Sequence, residues 1–213
     1  MERIREQTPA IALSNDVLRR RGVTNKRLVA LTFDDGPDPR YTPRILNILR
    51  RERIKATFFV VGANARAHPE LVRRAYLAGN TIGNHTWDHP ELELLPVAQM
   101  RRELISTSQE IKFLTGKKPS FFRPPHGVIT PAVDEVAQSL GYKTVLWSNA
   151  IVEHYPRLVE STLLTVLIKP GAIVLSHDGR LNHEQSLRDL PLLIHGLKRR
   201  GFKFVTLDKM PLP

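Results

Sequence analysis

Leu28-Val-Ala-Leu-Thr-Phe-Asp-Asp-Gly-Pro37 is the stretch that decides how the rest of the chain is read. Residues 28–33 make an apolar run of strand length, the pattern of a strand buried on both faces. Asp34 and Asp35 stand side by side where that run ends, ahead of Gly36-Pro37. Asp, Gly and Pro are turn residues for backbone reasons, so the turn alone explains little about function. The adjacent carboxylates gain meaning from a histidine pair further along, His85-Thr-Trp-Asp-His89. One carboxylate can ligate a metal ion while its neighbour takes a proton from water, and two imidazoles complete one face of the ion. These residue types therefore point to metal-assisted hydrolysis. The spacing of His85 and His89 places both rings on one side if the stretch makes a helical turn.

Working outward, Thr42-Pro43 supplies a cap with proline at the first helical position, and Ile45, Leu46 and Leu49 form an apolar stripe through Arg51. A strand over 57–61 follows, then a helix opened by Pro69 and ended by Gly79, then a strand over 80–84 that delivers His85. The longest helix is expected over about 96–115, with Val97, Met100, Leu104 and Ile111 inward and Gly116 as its stop. A short strand at 121–123 precedes a helix capped by Thr130-Pro131 that buries Val133, Val136, Ala137 and Leu140. The remaining elements are a strand at 143–147, a helix at 159–168, a strand at 172–175, a helix marked by Leu187, Leu190, Ile194 and Leu197, and a strand at 202–207. Strands alternating with helices predict an α/β fold with a mainly parallel sheet or barrel. In this register Asp34-Asp35, His85 and His89, Arg123, Trp147 and His177 all follow strands, and such strand ends converge on one face.

At 213 residues and 41% hydrophobic content, one domain with a sizeable core is expected, comprising a basic N-terminal segment at 1–26 and a catalytic domain at 27–213. No window reaches the roughly 18 apolar residues of a membrane span. The first eight residues carry Glu2, Arg3, Arg5 and Glu6 in place of a signal-peptide core, so none is expected in this chain. The absence of cysteine excludes disulfides and thiolate ligands, leaving His and carboxylate for any metal. A formal charge of +11 and a pI near 10.3 favour anionic partners such as a cell-wall polymer, a membrane surface or nucleic acid. Basic clusters occur at Arg19-Arg20-Arg21, Arg50-Arg51 and Lys198-Arg199-Arg200, but no aromatics interleave as stacking platforms, so nucleic acid is not the expected partner.

Four segments in order, Thr32-Phe-Asp-Asp-Gly-Pro37, His85-Thr-Trp-Asp-His89, Arg123-Pro-Pro-His-Gly127 and Leu175-Ser-His-Asp178, resemble the polysaccharide deacetylase (NodB-homology) family, carbohydrate esterase family 4. The resemblance covers about residues 27–207. It implies a distorted (β/α) barrel with fewer than eight regular units, and divalent-metal hydrolysis of N- or O-acetyl groups on a carbohydrate polymer. Carried over residue by residue, it makes Asp34 the general base and Asp35, His85 and His89 the metal ligands, with Zn2+ the default ion and Co2+, Ni2+ or Mn2+ compatible with the same donors. The resemblance also implies that Arg123 pairs with Asp34 and orients it. By the same resemblance His177 is expected to be the general acid that protonates the departing amine, and Leu175 to wall the pocket of the acetyl methyl. The resemblance implies that Pro125, His126, Gly127 and Trp147 complete the substrate-binding set, with His126 where the family usually has tyrosine and its backbone N–H expected in the oxyanion role.

The clearest departure from the family lies at 145–156, where Asn149, Ala150 and Glu153-His154 replace the usual Asp residues and Asp-Trp pair. One of those carboxylates supports the catalytic histidine, so its loss bears on rate and pH optimum, and Glu153 is the candidate replacement. The activity implied is removal of acetate from N-acetylglucosamine in peptidoglycan or a chitin-type oligosaccharide. The alternatives are an O-acetyl (xylan) esterase, whose better leaving group demands less of a weakened acid, and a glycan-binding pseudoenzyme. The substrate class points to the extracellular space or cell envelope, with the cytoplasm left open by the lack of an export signal.

Overall fold

The computed structural model describes residues 19–151 and 165–213. Strand β1 spans Leu28–Asp34 and lies at the centre of the sheet, buried from its second residue onward. Around it run β2 (Thr57–Val60), β3 (Thr81–Asn84), β4 (Phe121–Phe122), β5 (Lys143–Thr144), β6 (Asn149–Ala150), β7 (Ala172–His177) and β8 (Lys203–Phe204). The strand order is β5-β4-β3-β2-β1-β7-β6, with β8 beside the start of β1, and every strand pair is parallel.

β5 and β6 lie at opposite ends of this order, yet only residues 145–148 separate them in sequence. Five residue steps reach at most about 18 Å, whereas six strand spacings in a flat sheet need about 29 Å. The sheet must therefore curl until its edges approach, which makes a distorted (β/α) barrel with fewer than eight regular units, as expected.

Helices pack on the outside: α1 (Thr42–Arg51), α2 (Gly62–Ala67), α3 (Pro69–Leu77), α4 (Val97–Thr115), α5 (Pro131–Ser139) and α6 (Glu184–Arg199). The period of two along β1 separates two layers. Val29, Leu31 and Phe33 join Ile45, Leu49, Phe58, Val60, Leu190 and Ile194 in the core beneath the helices. Ala30 belongs instead to an interior cluster with Phe59, Phe121, Val145, Ile173, Leu207 and Met210. Thr32 and Asp34 continue that inward row toward the carboxyl end of the strand. The interior is thus apolar at one end and charged at the other.

Several local expectations are corrected. Tyr41 occupies the cap position of α1 without a side-chain bond, and Thr42 is already helical. The Thr42 hydroxyl is drawn to a carboxyl across the fold, Oγ1 donating to Asp178 Oδ2 at 2.5 Å. Val97, expected inward, is 52% exposed because it opens α4 at the rim, while Met100, Leu104 and Ile111 are buried. Helix α2 was not foreseen, since Gly-Ala-Asn-Ala-Arg-Ala has no apolar stripe. The strands expected over 143–147 and 202–207 shrink to two residues each. The helix expected over 159–168 falls mostly outside the described residues, as do Glu153 and His154.

Candidate functional site

Asp34 ends β1 in register with His177 on β7, so the two side chains leave the sheet on the same face. Leu175, two residues before His177, lies on that face beside Thr32. Asp34 is 3% exposed, and Arg123, just beyond β4, is fully buried. The guanidinium spends its donors inside the barrel: Nη1 donates to Asp34 Oδ1 at 2.8 Å and to Thr32 Oγ1 at 2.7 Å, Nε to Val145 O at 3.1 Å, and Nη2 to Leu146 O at 3.0 Å. The expected Arg123–Asp34 pair is present. Phe59 and Trp147 lie against the guanidinium, at 4.2 Å and 5.6 Å from ring centroid to Cζ.

Asp35 turns the other way, with φ of 73°. Its Oδ1 lies 3.3 Å from His85 Nε2 and 3.2 Å from His89 Nε2, buried and without a hydrogen bond. His85 Nδ1–H donates to Arg123 O at 2.7 Å, which fixes the tautomer and turns the Nε2 lone pair toward Asp35. A buried carboxylate oxygen and two imidazole nitrogens that converge without bonding one another fit a shared cation. Among the described residues, Asp35, His85 and His89 are the group that could hold a metal ion. The field agrees. Burial alone would raise the Asp35 carboxyl, but His85 and His89 overcome it and hold the group well below the usual carboxylate range. Burial disfavours a charged His85 ring, yet Asp34 and Asp35 outweigh it and raise its proton affinity. A pocket whose carboxylates favour a proton also favours a divalent cation.

The segment from His85 to His89 is not the helical turn that its spacing suggested. Thr86 and His89 both have positive φ, 68° and 59°, and these two kinks bring the rings together, centroids 4.9 Å apart. Neighbours hold this backbone: Asn84 Oδ1 accepts from Thr86 N at 2.8 Å, and Glu103 Oε2 accepts from Trp87 N and Asp88 N at 2.8 and 3.0 Å. Asn64 Nδ2 donates to Asp35 O at 2.8 Å. Among the described residues, six non-glycine residues have positive φ; Asp35, Thr86, His89, His126 and Arg180 belong to loops at this face, and Arg53 lies elsewhere. Such concentrated strain marks a site that the fold holds in place.

His126 is exposed and sets its ring edge-on to His89, centroids 4.9 Å apart. Pro125 is buried beneath it, and Gly127 (φ 71°) sits so close to Trp147 that a Cβ would fall 2.6 Å from the indole. The other side of the site holds His177, half-buried, whose proton affinity is lowered by burial against the opposing field of Asp34 and Asp35. Sequence reading passed over Asn84, Glu103, Asn64, Asp178 and His183. Asn84 and Asp178 adjoin singled-out histidines in the chain, which was the available signal; nothing local marks Glu103.

Barrel folds keep their chemistry at the carboxyl ends of the strands, where these groups lie, and this chain is a hydrolase of that architecture. Its family follows from the matches to known proteins. The sequence model described as polysaccharide deacetylase matches residues 21–145, and the chain belongs to that family. It is 37% identical over 199 residues to a peptidoglycan-N-acetylglucosamine deacetylase of Bacillus cereus, covering 87% of this chain and 89% of that one. It is 36% identical over 204 residues to a chitooligosaccharide deacetylase of a Bradyrhizobium strain, covering 88% and 92%. A crystal structure of a peptidoglycan N-acetylglucosamine deacetylase superposes with a TM-score of 0.86 at 36% identity, covering 90% of this chain and 91% of that one.

Proposed function

We propose that the chain is a metal-dependent deacetylase that removes acetate from N-acetylglucosamine residues of a glycan, of peptidoglycan or chitin type. The observation that carries this reading is the convergence of Asp35 Oδ1 with two imidazole Nε2 atoms beside an arginine-paired Asp34. Asp35, His85 and His89 would hold the ion, Zn2+ first among those suited to these donors. When bound, it would acidify water and polarise the acetyl carbonyl.

The chain's own groups divide the remaining work. Arg123 holds Asp34 Oδ1, which leaves Oδ2, 3.9 Å from His85 Nε2, to take the proton of the attacking water. The turn amides of Gly127 and Val128 are occupied by Pro124 O and Pro125 O, and the His126 N–H is the amide assigned to the developing oxyanion. As the new C–O bond forms and the C–N bond breaks, His177 gives its proton to the nitrogen, so acetate and a free amine depart. Leu175, beside Thr32 on this face, would wall the acetyl pocket, and Trp147, against Arg123, would contact the substrate. A peptidoglycan-type substrate places the enzyme's action at the cell envelope, where a charge of +11 would hold it near anionic wall polymer.

Acetate release from N-acetylated and O-acetylated glycans, after chelation and after re-addition of Zn2+, Co2+, Ni2+ or Mn2+, tests class, substrate and ion together. Release from N-acetylglucosamine oligomers that stops with chelator and returns with metal is expected. Preference for acetylxylan would replace the substrate; silence on every glycan with metal bound would make the chain a binding protein.

A further inference from the structure

The proposed acid, His177, is held differently from what its family resemblance implies. Strand β6 runs beside β7 with Asn149 in register with Val174 and Ala150 with Leu175, and neither residue carries a carboxylate. No hydrogen bond fixes the His177 ring among the described residues. Its constraint is a second imidazole: the His183 ring lies parallel to it, planes 13° apart and centroids 5.7 Å apart, an offset stack.

His183 is itself pinned. It is 1% exposed, and its Nε2–H donates to Gly179 O at 2.7 Å, an acceptor that admits only the protonated nitrogen. Tyr41 also packs edge-on against this ring, centroids 5.3 Å apart at 71°. Gly179 in turn is wedged against the backbone of Asp35, where a Cβ would fall 2.2 Å from Asp35 O. His183 occupies the cap position of α6 but gives that helix no side-chain cap; the adjacent Asn182 Oδ1 accepts from Glu184 N at 3.1 Å instead. The imidazole engages Gly179 and His177 in place of capping the helix.

The geometry points to His183 as a positioning residue for His177, fixing the plane of the acid's imidazole by stacking and so aiming its proton at the departing nitrogen. The inference rests on the reading of His177 as the acid. Backbone geometry leaves that ring free to rotate about χ2, and a misaligned acid costs rate rather than binding. The loss should follow how much the leaving group needs a proton. An amine leaving from an acetamide needs one, whereas a phenolate leaving from an aryl acetate does not.

The test compares the metal-loaded parent with His177→Ala, His183→Leu, His183→Phe and His183→Gln on a chitooligosaccharide and on an aryl acetate. Metal content and KM are measured for each. Expected is a fall in kcat of about tenfold or more for His183→Leu on the oligosaccharide, with KM, metal content and aryl-acetate turnover within about twofold. His183→Phe, which keeps a flat ring, should recover most of that loss, and His183→Gln, which keeps a donor but no ring, should not. If His177→Ala retains amide turnover, the acid assignment itself is wrong. If His177→Ala is inactive on the amide while His183→Leu or His183→Gln matches the parent, the positioning role is wrong. Equal losses on both substrates, or His183→Phe no better than His183→Gln, would reduce His183 to packing and overturn the inference. Should His183→Leu fail to fold, the Phe and Gln variants decide alone.

Discussion

Arg123 is the side chain on which the charged end of the barrel depends. It is fully buried, and its partner Asp34 is nearly so. Replacing the arginine by methionine would leave the Asp34 carboxylate buried without its counter-charge, at a cost of about 3–5 kcal/mol. In an Asp34→Asn background the same replacement should cost clearly less, because no charge is stranded; denaturant unfolding of the four proteins measures the difference. Equal costs in both backgrounds would mean that the three other acceptors of Arg123, and not the ion pair, carry its contribution. At this scale much of the site was legible. Adjacent carboxylates, a histidine pair and an arginine before two prolines are chemical signals that survive without knowledge of the fold. Illegible were the residues that act by hydrogen-bonding a loop backbone, such as Glu103 beneath Trp87 and Asp88, because their partners are chosen by tertiary packing. The positive φ of Thr86 and His89 was hidden for the same reason, since Thr86 disfavours that region on its own.

Among the elements, the turns after β1 and β7 lock together and make two predictions. A Cβ on Gly179 would fall 2.2 Å from Asp35 O, so Gly179→Ala must displace the backbone that carries a proposed ligand. Its metal affinity, followed by calorimetric titration, should weaken by about tenfold or more, the scale of a misplaced supporting group. Gly116→Ala is the contrast: with φ of 73° and open space around it, it should cost stability and leave metal affinity unchanged. The second prediction concerns Asp178, whose amide donates to Asp34 O at 3.0 Å and whose carboxyl is pushed up to about 7, chiefly by burial. Its folded value exceeds the unfolded one of 3.8. Between about pH 4 and 7 the folded protein keeps a proton that the unfolded chain has lost, so this group makes stability fall as pH rises through that window. Asp178→Asn should remove that slope, up to about 1.4 kcal/mol per pH unit, and parallel stability–pH curves for the two proteins would refute it. Element reading from sequence succeeded where periodicity was long, as in α4 and α6, and placed the short apolar strand β4, but it missed α2 and β6 and overextended β5. α2 has no apolar stripe, and β5 and β6 have two residues each, too few for any period to register.

For the molecule as a whole, curling of the sheet converts four separated stretches of chain, at Asp34-Asp35, His85–His89, Arg123 and His177, into one ligand and acid–base cluster, and the order of that cluster should be linked to cation binding. An ion that binds only the folded barrel stabilises it by about 2.7 kcal/mol at a hundredfold excess over Kd. For a chain of this size that corresponds to a rise in Tm of roughly 5–10 °C. Thermal unfolding with and without Zn2+ should show such a rise in the parent and lose it in His89→Ala, whose ring supplies one of the three converging atoms. Asp34→Asn should keep the rise while losing turnover, because Asp34 Oδ1 is engaged by Arg123 and the residue stands outside the ligand group. That pattern would separate the carboxylate that moves a proton from the carboxylate that holds the ion. A rise of equal size in His89→Ala would place the stabilising cation elsewhere on the barrel, and a rise abolished by Asp34→Asn would make both aspartates ligands and leave the proton to another group.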